Sequence, residues 1–132
     1  MKSPEAAWLL LCGAVALHVF DEAVNDFLRF YNPFVESISW LPMPAFSFGV
    51  WITGLIVAIV VGVAATSSVT NRIPAMRWVG IAVAVLMILN GLAHATLSIF
   101  SGKMLPGALS SPVLILAACW VINRFWKHWA RA

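Results

Sequence analysis

Residues 18–26 read His18-Val-Phe-Asp21-Glu22-Ala-Val-Asn25-Asp26 and follow a run that is almost wholly apolar. On a helix with about 100° per residue, the histidine, the three acids and the asparagine share one face, and apolar side chains cover the rest. A soluble surface helix shows the reverse, an apolar stripe on a polar helix. The pattern therefore indicates a helix whose polar side faces protein partners and whose apolar side faces lipid.

The composition of the whole chain agrees with a membrane protein. The 132 residues are 62% hydrophobic and only 10% charged, and the mean hydropathy is +0.94. At about 20 apolar residues per span, this length accommodates four membrane helices. We expect an all-α, integral membrane four-helix bundle in which residues 1–132 form a single transmembrane domain. The four helices are predicted at about 4–30, 46–66, 75–100 and 108–129.

The connection between the first two helices, residues 31–45, is unusual. It contains three prolines but also several aromatic residues, so it is too apolar for a solvated loop and too rich in proline for a span. We expect an interfacial segment there, and we expect Asn32-Pro33 to break or restart the helix. In the second helix, Gly49, Gly54 and Gly62 predict close contacts with a neighbouring helix.

The distribution of lysine and arginine predicts the orientation. With both termini cytoplasmic, six basic residues lie inside and two, Arg29 and Lys103, lie outside. We therefore expect a multi-pass protein, in a bacterial inner (plasma) membrane, that contacts membrane lipids; a homo-oligomer remains an open alternative. The net charge of +3 is small and confined to segment ends, which argues against a nucleic-acid partner.

This topology makes the first and third helices parallel and brings two histidines to a similar depth. His18 and His94 lie roughly 20 and 24 Å from the cytoplasmic ends, at about 1.5 Å per residue, in the outer half of the membrane. We expect an inward polar cluster with a catalytic set and a set of substrate contacts or supporting residues. The catalytic set is His18, Asp21, Glu22 and His94, and the supporting set is Asn25, Asp26, Asn90 and Ser98.

Acidic residues at this depth need a cationic partner, because a carboxylate near the middle of a bilayer costs about 2.5–3.5 kcal/mol on insertion scales. Two histidines and one carboxylate match an open site for Fe(II) or Zn(II). We predict His18, Glu22 and His94 as ligands of a divalent metal, with Asp21 as a further ligand or a base. The predicted function is an intramembrane hydrolase or oxidoreductase acting on a lipid-soluble substrate, such as an isoprenoid, sterol-like or acyl compound.

Two other functions fit the same residues. A buried acid beside a neutral histidine can move a proton without a metal, which would suit an isomerase or a cyclase. A non-enzymatic protein that handles protons or ions, or a regulatory membrane protein, could use the same acids as a relay. The cytoplasmic half is nearly bare of polar residues, which argues against a continuous pore.

Three short motifs resemble those of the HXXEE family of small integral membrane proteins. Its HxxEE motif corresponds to His18-Val-Phe-Asp21-Glu22, with aspartate in place of the first glutamate. A second histidine follows in Asn90-Gly-Leu-Ala-His94, and the family's YxPG motif corresponds to Met104-Leu-Pro106-Gly107, with methionine in place of tyrosine. The resemblance implies a catalytic role for His18, Asp21, Glu22 and His94, and it supplies no reaction.

Overall fold

The computed structural model describes residues 3–38, 40 and 43–129. Within these residues the chain forms helices and no strand, which confirms the predicted all-α class. The helices are α1 (Pro4–Val24), α2 (Phe27–Ser37), α3 (Phe48–Ala64), α4 (Thr66–Thr70), α5 (Pro74–Ser101) and α6 (Ser111–Trp129).

Three helical stretches of the described chain are long and apolar enough to cross a membrane: Pro4–Val24, Phe48–Thr70 and Pro74–Ser101. They correspond to the first three predicted spans. The helix expected as the fourth span, α6, is not among them. Its last turns carry Asn123, Arg124 and Lys127, which reduce its hydropathy.

The first helix ends earlier than predicted. α1 stops at Val24, and Asp26 takes a left-handed conformation with φ 57° and ψ 51° before α2 begins. The backbone nitrogen of Asn25 makes the last helical hydrogen bond, to the carbonyl oxygen of Asp21, and the side-chain amide of Asn25 donates to the same oxygen at 2.8 Å. The helix ends because the backbone leaves the right-handed helical region at Asp26. Aspartate and asparagine also tolerate the left-handed region better than apolar residues do.

The expected break at Asn32-Pro33 is wrong, since Pro33 lies inside α2. The side chain of Asn32 instead makes a two-way contact with the backbone of Phe46, donating to its oxygen at 2.9 Å and accepting from its nitrogen at 3.0 Å. These bonds hold α2 against the start of α3. The predicted interfacial segment thus begins with a helix, and its residues 39, 41 and 42 lie outside the described chain.

The most extensive packing joins α5 to α6, and α1 packs next against α6. Fully buried side chains of α1 and α6, including Leu11, Leu114 and Phe125, form the apolar core together with Ala84 of α5. Gly91 of α5 permits the close approach, because a Cβ atom there would lie 2.8 Å from Ile115 Cγ1. The start of α6 therefore lies near the part of α5 that carries His94.

The helix α3 is peripheral, and none of its residues is buried. It contacts α1 through Trp8, whose Nε1 donates to the carbonyl oxygen of Gly62 at 2.7 Å. Of the three glycines predicted to make close contacts, only Gly62 does so. At Gly49 and Gly54 a Cβ atom would meet nothing within 4 Å in the described part of the chain.

Candidate metal centre

The two predicted histidines meet. His18 lies one turn before Glu22 on α1, and His94 comes from α5; the two imidazole rings are 4.9 Å apart and nearly perpendicular. All three residues are buried, with 4%, 5% and 8% of His18, Glu22 and His94 exposed. The expectation that the first and third membrane helices bring their histidines together is therefore confirmed.

Three ligand atoms converge at this place. Glu22 Oε1 lies 3.0 Å from His94 Nε2 and 3.6 Å from His18 Nε2, and one ligand atom from each of the three residues lies within 4.8 Å of the others. Tetrahedral zinc with bonds of about 2.0–2.2 Å separates its ligands by roughly 3.3–3.6 Å. Both distances from the carboxylate are close to that value.

The outer nitrogens of the two rings are engaged elsewhere. His94 Nδ1 is hydrogen-bonded to the carbonyl oxygen of Pro106, and His18 Nδ1 lies 2.9 Å from Ser110 Oγ. A carbonyl oxygen only accepts, so His94 Nδ1 carries the hydrogen. In the neutral ring, His94 Nε2 then presents a lone pair to Glu22. On the other ring, His18 Nε2 is buried and has no hydrogen-bond partner.

The close contact between His94 and Glu22 needs a proton or a metal ion. A neutral His94 and an ionised Glu22 would place two acceptor atoms 3.0 Å apart in a buried site, which is unfavourable unless a proton or a metal ion lies between them. His18 Nε2, which has no hydrogen-bond partner, lies 3.6 Å from the same carboxylate oxygen. The donor set of two imidazole nitrogens and one carboxylate oxygen fits Zn(II) or Fe(II).

The loop between α5 and α6, residues 102–110, supplies the contacts that orient both rings. Gly107 has a φ of +83°, and a Cβ atom there would lie 2.8 Å from His94 Nδ1 and 2.9 Å from His18 Cε1. Glycine is therefore required at position 107 for two reasons, its backbone conformation and the space that it leaves beside the imidazoles. The Pro-Gly part of the third motif now has a physical reason. Met104, which occupies the position of the family's tyrosine, is 74% exposed.

Asp21, predicted as a ligand or a base, is placed beside the converging atoms rather than among them. One of its oxygens accepts from both the backbone nitrogen and the hydroxyl of Ser110, at 2.9 and 2.7 Å. The other accepts from the side chain of Asn25 at 2.8 Å. Three donors thus occupy the carboxylate, and it ties α1 to the α5–α6 loop.

Of the remaining predicted residues, Asn90 and Ser98 lie at or beside the site, and Asp26 does not. Asn90 lies beside His18 and its side chain interacts with that ring, although its buried Oδ1 makes no hydrogen bond of standard geometry. Ser98 accepts from the backbone nitrogen of Leu105 at 3.0 Å and so holds the α5–α6 loop. Asp26 is exposed and takes no part in the converging group.

The sequence did not identify the contributions of Pro106 and Ser110. The Pro-Gly motif marked the loop, but nothing in its composition indicated that a carbonyl oxygen of the loop would bind a histidine. Nothing in the sequence singled out Ser110, since it is one of two adjacent serines before an apolar helix.

Aromatic side chains cover one side of the site. The ring of Phe27, the first residue of α2, lies 5.5 Å from His94 and 5.9 Å from Trp51 of α3. The left-handed turn at Asp26 brings α2 to this position. The site is consequently enclosed by apolar groups on the side where α2 and α3 meet.

The matches to known proteins agree with the motifs. The sequence matches a family model described as "Protein of unknown function with HXXEE motif" over residues 8–122. It matches no curated protein and no solved structure. The matched region contains α5 and every residue of the converging group, and the chain therefore belongs to the HXXEE family.

Proposed function

We propose that the protein is an intramembrane metalloenzyme that acts on a lipid-soluble substrate. His18, Glu22 and His94 hold one divalent ion, zinc or iron, in the outer half of the membrane. The observation that carries the proposal is the convergence of three buried ligand atoms, one of which, His18 Nε2, has no hydrogen-bond partner. Buried polar atoms are seldom left in that state without a ligand.

The choice of a lipid-soluble substrate follows from the surroundings of the site. His18 and Glu22 lie in a helix apolar enough to cross a membrane, and so does His94. Phe27 covers the histidine pair on one side. A substrate that reaches this cluster therefore has to partition into the bilayer, as isoprenoid, sterol-like and acyl compounds do.

The residues around the proposed metal ion have separate roles. A bound ion would supply Lewis-acid activation, and with iron also redox chemistry. Asn90, beside His18, offers its buried Oδ1 to a hydroxyl group of the substrate or to water. Asp21 and Ser110 keep α1 fixed to the α5–α6 loop, and Phe27 limits the entry of bulk water.

Metal analysis of the purified protein tests the proposal. The protein is expressed with added iron and zinc, purified in detergent and measured by elemental mass spectrometry, beside His18→Ala, His94→Ala and His128→Ala. We expect near-stoichiometric metal in the wild type and its loss in the first two variants. His128 is the matched control, because it is the remaining histidine of the chain and lies at the far end of α6.

Two results would overturn the metal centre. One is the absence of zinc and iron from folded wild-type protein. The other is metal that remains bound in both His18→Ala and His94→Ala, since it would have to be held by other groups.

One observation favours a second function, metal-free acid–base catalysis. The 3.0 Å distance between His94 Nε2 and Glu22 Oε1 is that of a hydrogen bond with one shared proton. Such a pair can protonate a double bond and take a proton from a neighbouring carbon, which suits an isomerase or a cyclase. The two functions differ in one measurement, because a metal-free wild type that converts its substrate fits only the second.

A further inference from the structure

We propose that Ser110 is a positioning residue that fixes the tautomer of His18. The Ser110 hydroxyl donates its only proton to Asp21, so its oxygen must accept a hydrogen bond from His18 Nδ1. His18 then carries its hydrogen on Nδ1 and presents the Nε2 lone pair to Glu22 and His94.

The direction of each hydrogen bond follows from the partners of Ser110 Oγ. It lies 2.7 Å from Asp21 Oδ2 and 3.2 Å from the carbonyl oxygen of Gly107, and both of these only accept. The shorter contact takes the hydroxyl proton. Of these three partners, His18 Nδ1, at 2.9 Å, is the one that can donate to the lone pairs of the serine oxygen.

The reverse assignment fails on the same distances. If Ser110 donated to His18 Nδ1, its oxygen would lie 2.7 Å from an Asp21 oxygen with no proton between them. Asp21 already accepts from the backbone nitrogen of Ser110 and from Asn25, as an ionised carboxylate does. The hydroxyl of Ser110 is for this reason not an activated nucleophile, despite its contacts with a histidine and an aspartate.

The consequence is that one loop orients both histidines. The Pro106 carbonyl oxygen holds His94 Nδ1, and Ser110 holds His18 Nδ1. Both Nε2 atoms are thereby directed toward Glu22. Hydrogen bonds of this kind typically change metal affinity 10- to 100-fold when they are removed from a ligating histidine.

Nitrogen NMR of the imidazole rings tests the tautomer without any metal. Metal-free, ¹⁵N-histidine-labelled protein is measured in detergent at alkaline pH, where a histidine ring is neutral. The signals of His18 are assigned by their absence in His18→Ala. We expect Nδ1 of His18 to be protonated and Nε2 to be unprotonated in the wild type. We expect Ser110→Ala to shift this balance, and Ser110→Thr, which keeps the hydroxyl, to restore it.

Ser111 provides the matched control. It is the next residue and is fully buried, but its hydroxyl donates to the carbonyl oxygen of Gly107 at 2.7 Å and does not contact His18. Ser111→Ala should leave the His18 signals unchanged. A wild-type spectrum with the hydrogen on Nε2 would refute the proposal, and this result needs no variant to fold. Unchanged His18 signals in folded Ser110→Ala would refute it as well.

Zinc titration against a competing chelator connects the tautomer to the proposed function. We expect Ser110→Ala to bind Zn²⁺ 10- to 100-fold more weakly than Ser111→Ala. Only this second readout rests on the metal centre proposed above. If the wild type binds neither zinc nor iron, the metal centre is refuted, whereas the NMR result still decides the role of Ser110.

Discussion

Gly107→Ala is the substitution whose effect the structure specifies most fully. The added methyl group would lie 2.8 Å from His94 Nδ1 and 2.9 Å from His18 Cε1, and neither ring moves freely because both Nδ1 atoms are hydrogen-bonded. The positive φ of +83° adds a backbone cost. We expect reduced stability together with displaced histidines, and hence weaker metal binding.

The expected loss of stability in Gly107→Ala has two parts, a backbone cost and a packing cost. A non-glycine residue in the left-handed region costs about 1–2 kcal/mol, and forcing a methyl group into a packed site typically costs about 1–3 kcal/mol. Gly107→Ala should therefore lower the free energy of unfolding by about 2–5 kcal/mol. Gly102→Ala is the control, because Gly102 also has a positive φ, +64°, but a Cβ atom there meets nothing within 4 Å. Gly102→Ala should therefore lower the free energy of unfolding by the backbone cost alone, about 1–2 kcal/mol.

Two assays distinguish the parts. Unfolding in mixed micelles with increasing sodium dodecyl sulfate gives the stability of both variants, and competition titration with Zn²⁺ gives the affinity of the site. Gly102→Ala should retain wild-type affinity, whereas Gly107→Ala should lose it. Equal stability losses and equal zinc affinities in the two variants would refute the contact between Gly107 and the histidines.

Three further outcomes follow from the described contacts. Glu22→Gln removes the charged ligand with little change in shape and should abolish metal retention in elemental analysis, while Asp26→Asn, at an exposed acid, should leave it intact. Gly91→Ala should destabilise the α5–α6 contact by about 1–3 kcal/mol in the detergent unfolding assay, while Gly54→Ala, which faces open space, should not destabilise the protein. Trp8→Phe removes the hydrogen bond to the α3 backbone and should cost about 0.6–1.7 kcal/mol; no loss would show that the contact contributes nothing.

The identity of the converging residues could be read from the sequence because polar groups are expensive in a membrane helix. His18 and Glu22 stand out against apolar neighbours, and a spacing of four residues puts them on one face. Hydropathy indicated the first three spans, and the topology predicted from them placed His94 at a depth similar to that of His18. Each of these steps uses only periodicity and the cost of a buried charge.

Local conformation was less predictable. The end of α1 is set by the left-handed backbone at Asp26, and Pro33 remains helical where the sequence rule predicts a break. In the latter case Asn32 binds the backbone of Phe46, a contact between residues far apart in the chain. Propensity rules describe neighbours in sequence and cannot include such a contact.

The sequence by itself determined an all-helical chain with three helices apolar enough to cross a membrane and with a histidine and carboxylate cluster, because hydropathy and helical period are properties of the residues in order. Only the tertiary structure decided the separate roles of Asp21 and Glu22. The two acids are adjacent and chemically alike, yet one meets Ser110 and the other meets His94. That difference arises from where the α5–α6 loop returns to α1, and loop position is set by packing over the whole fold rather than by the residues beside the two acids.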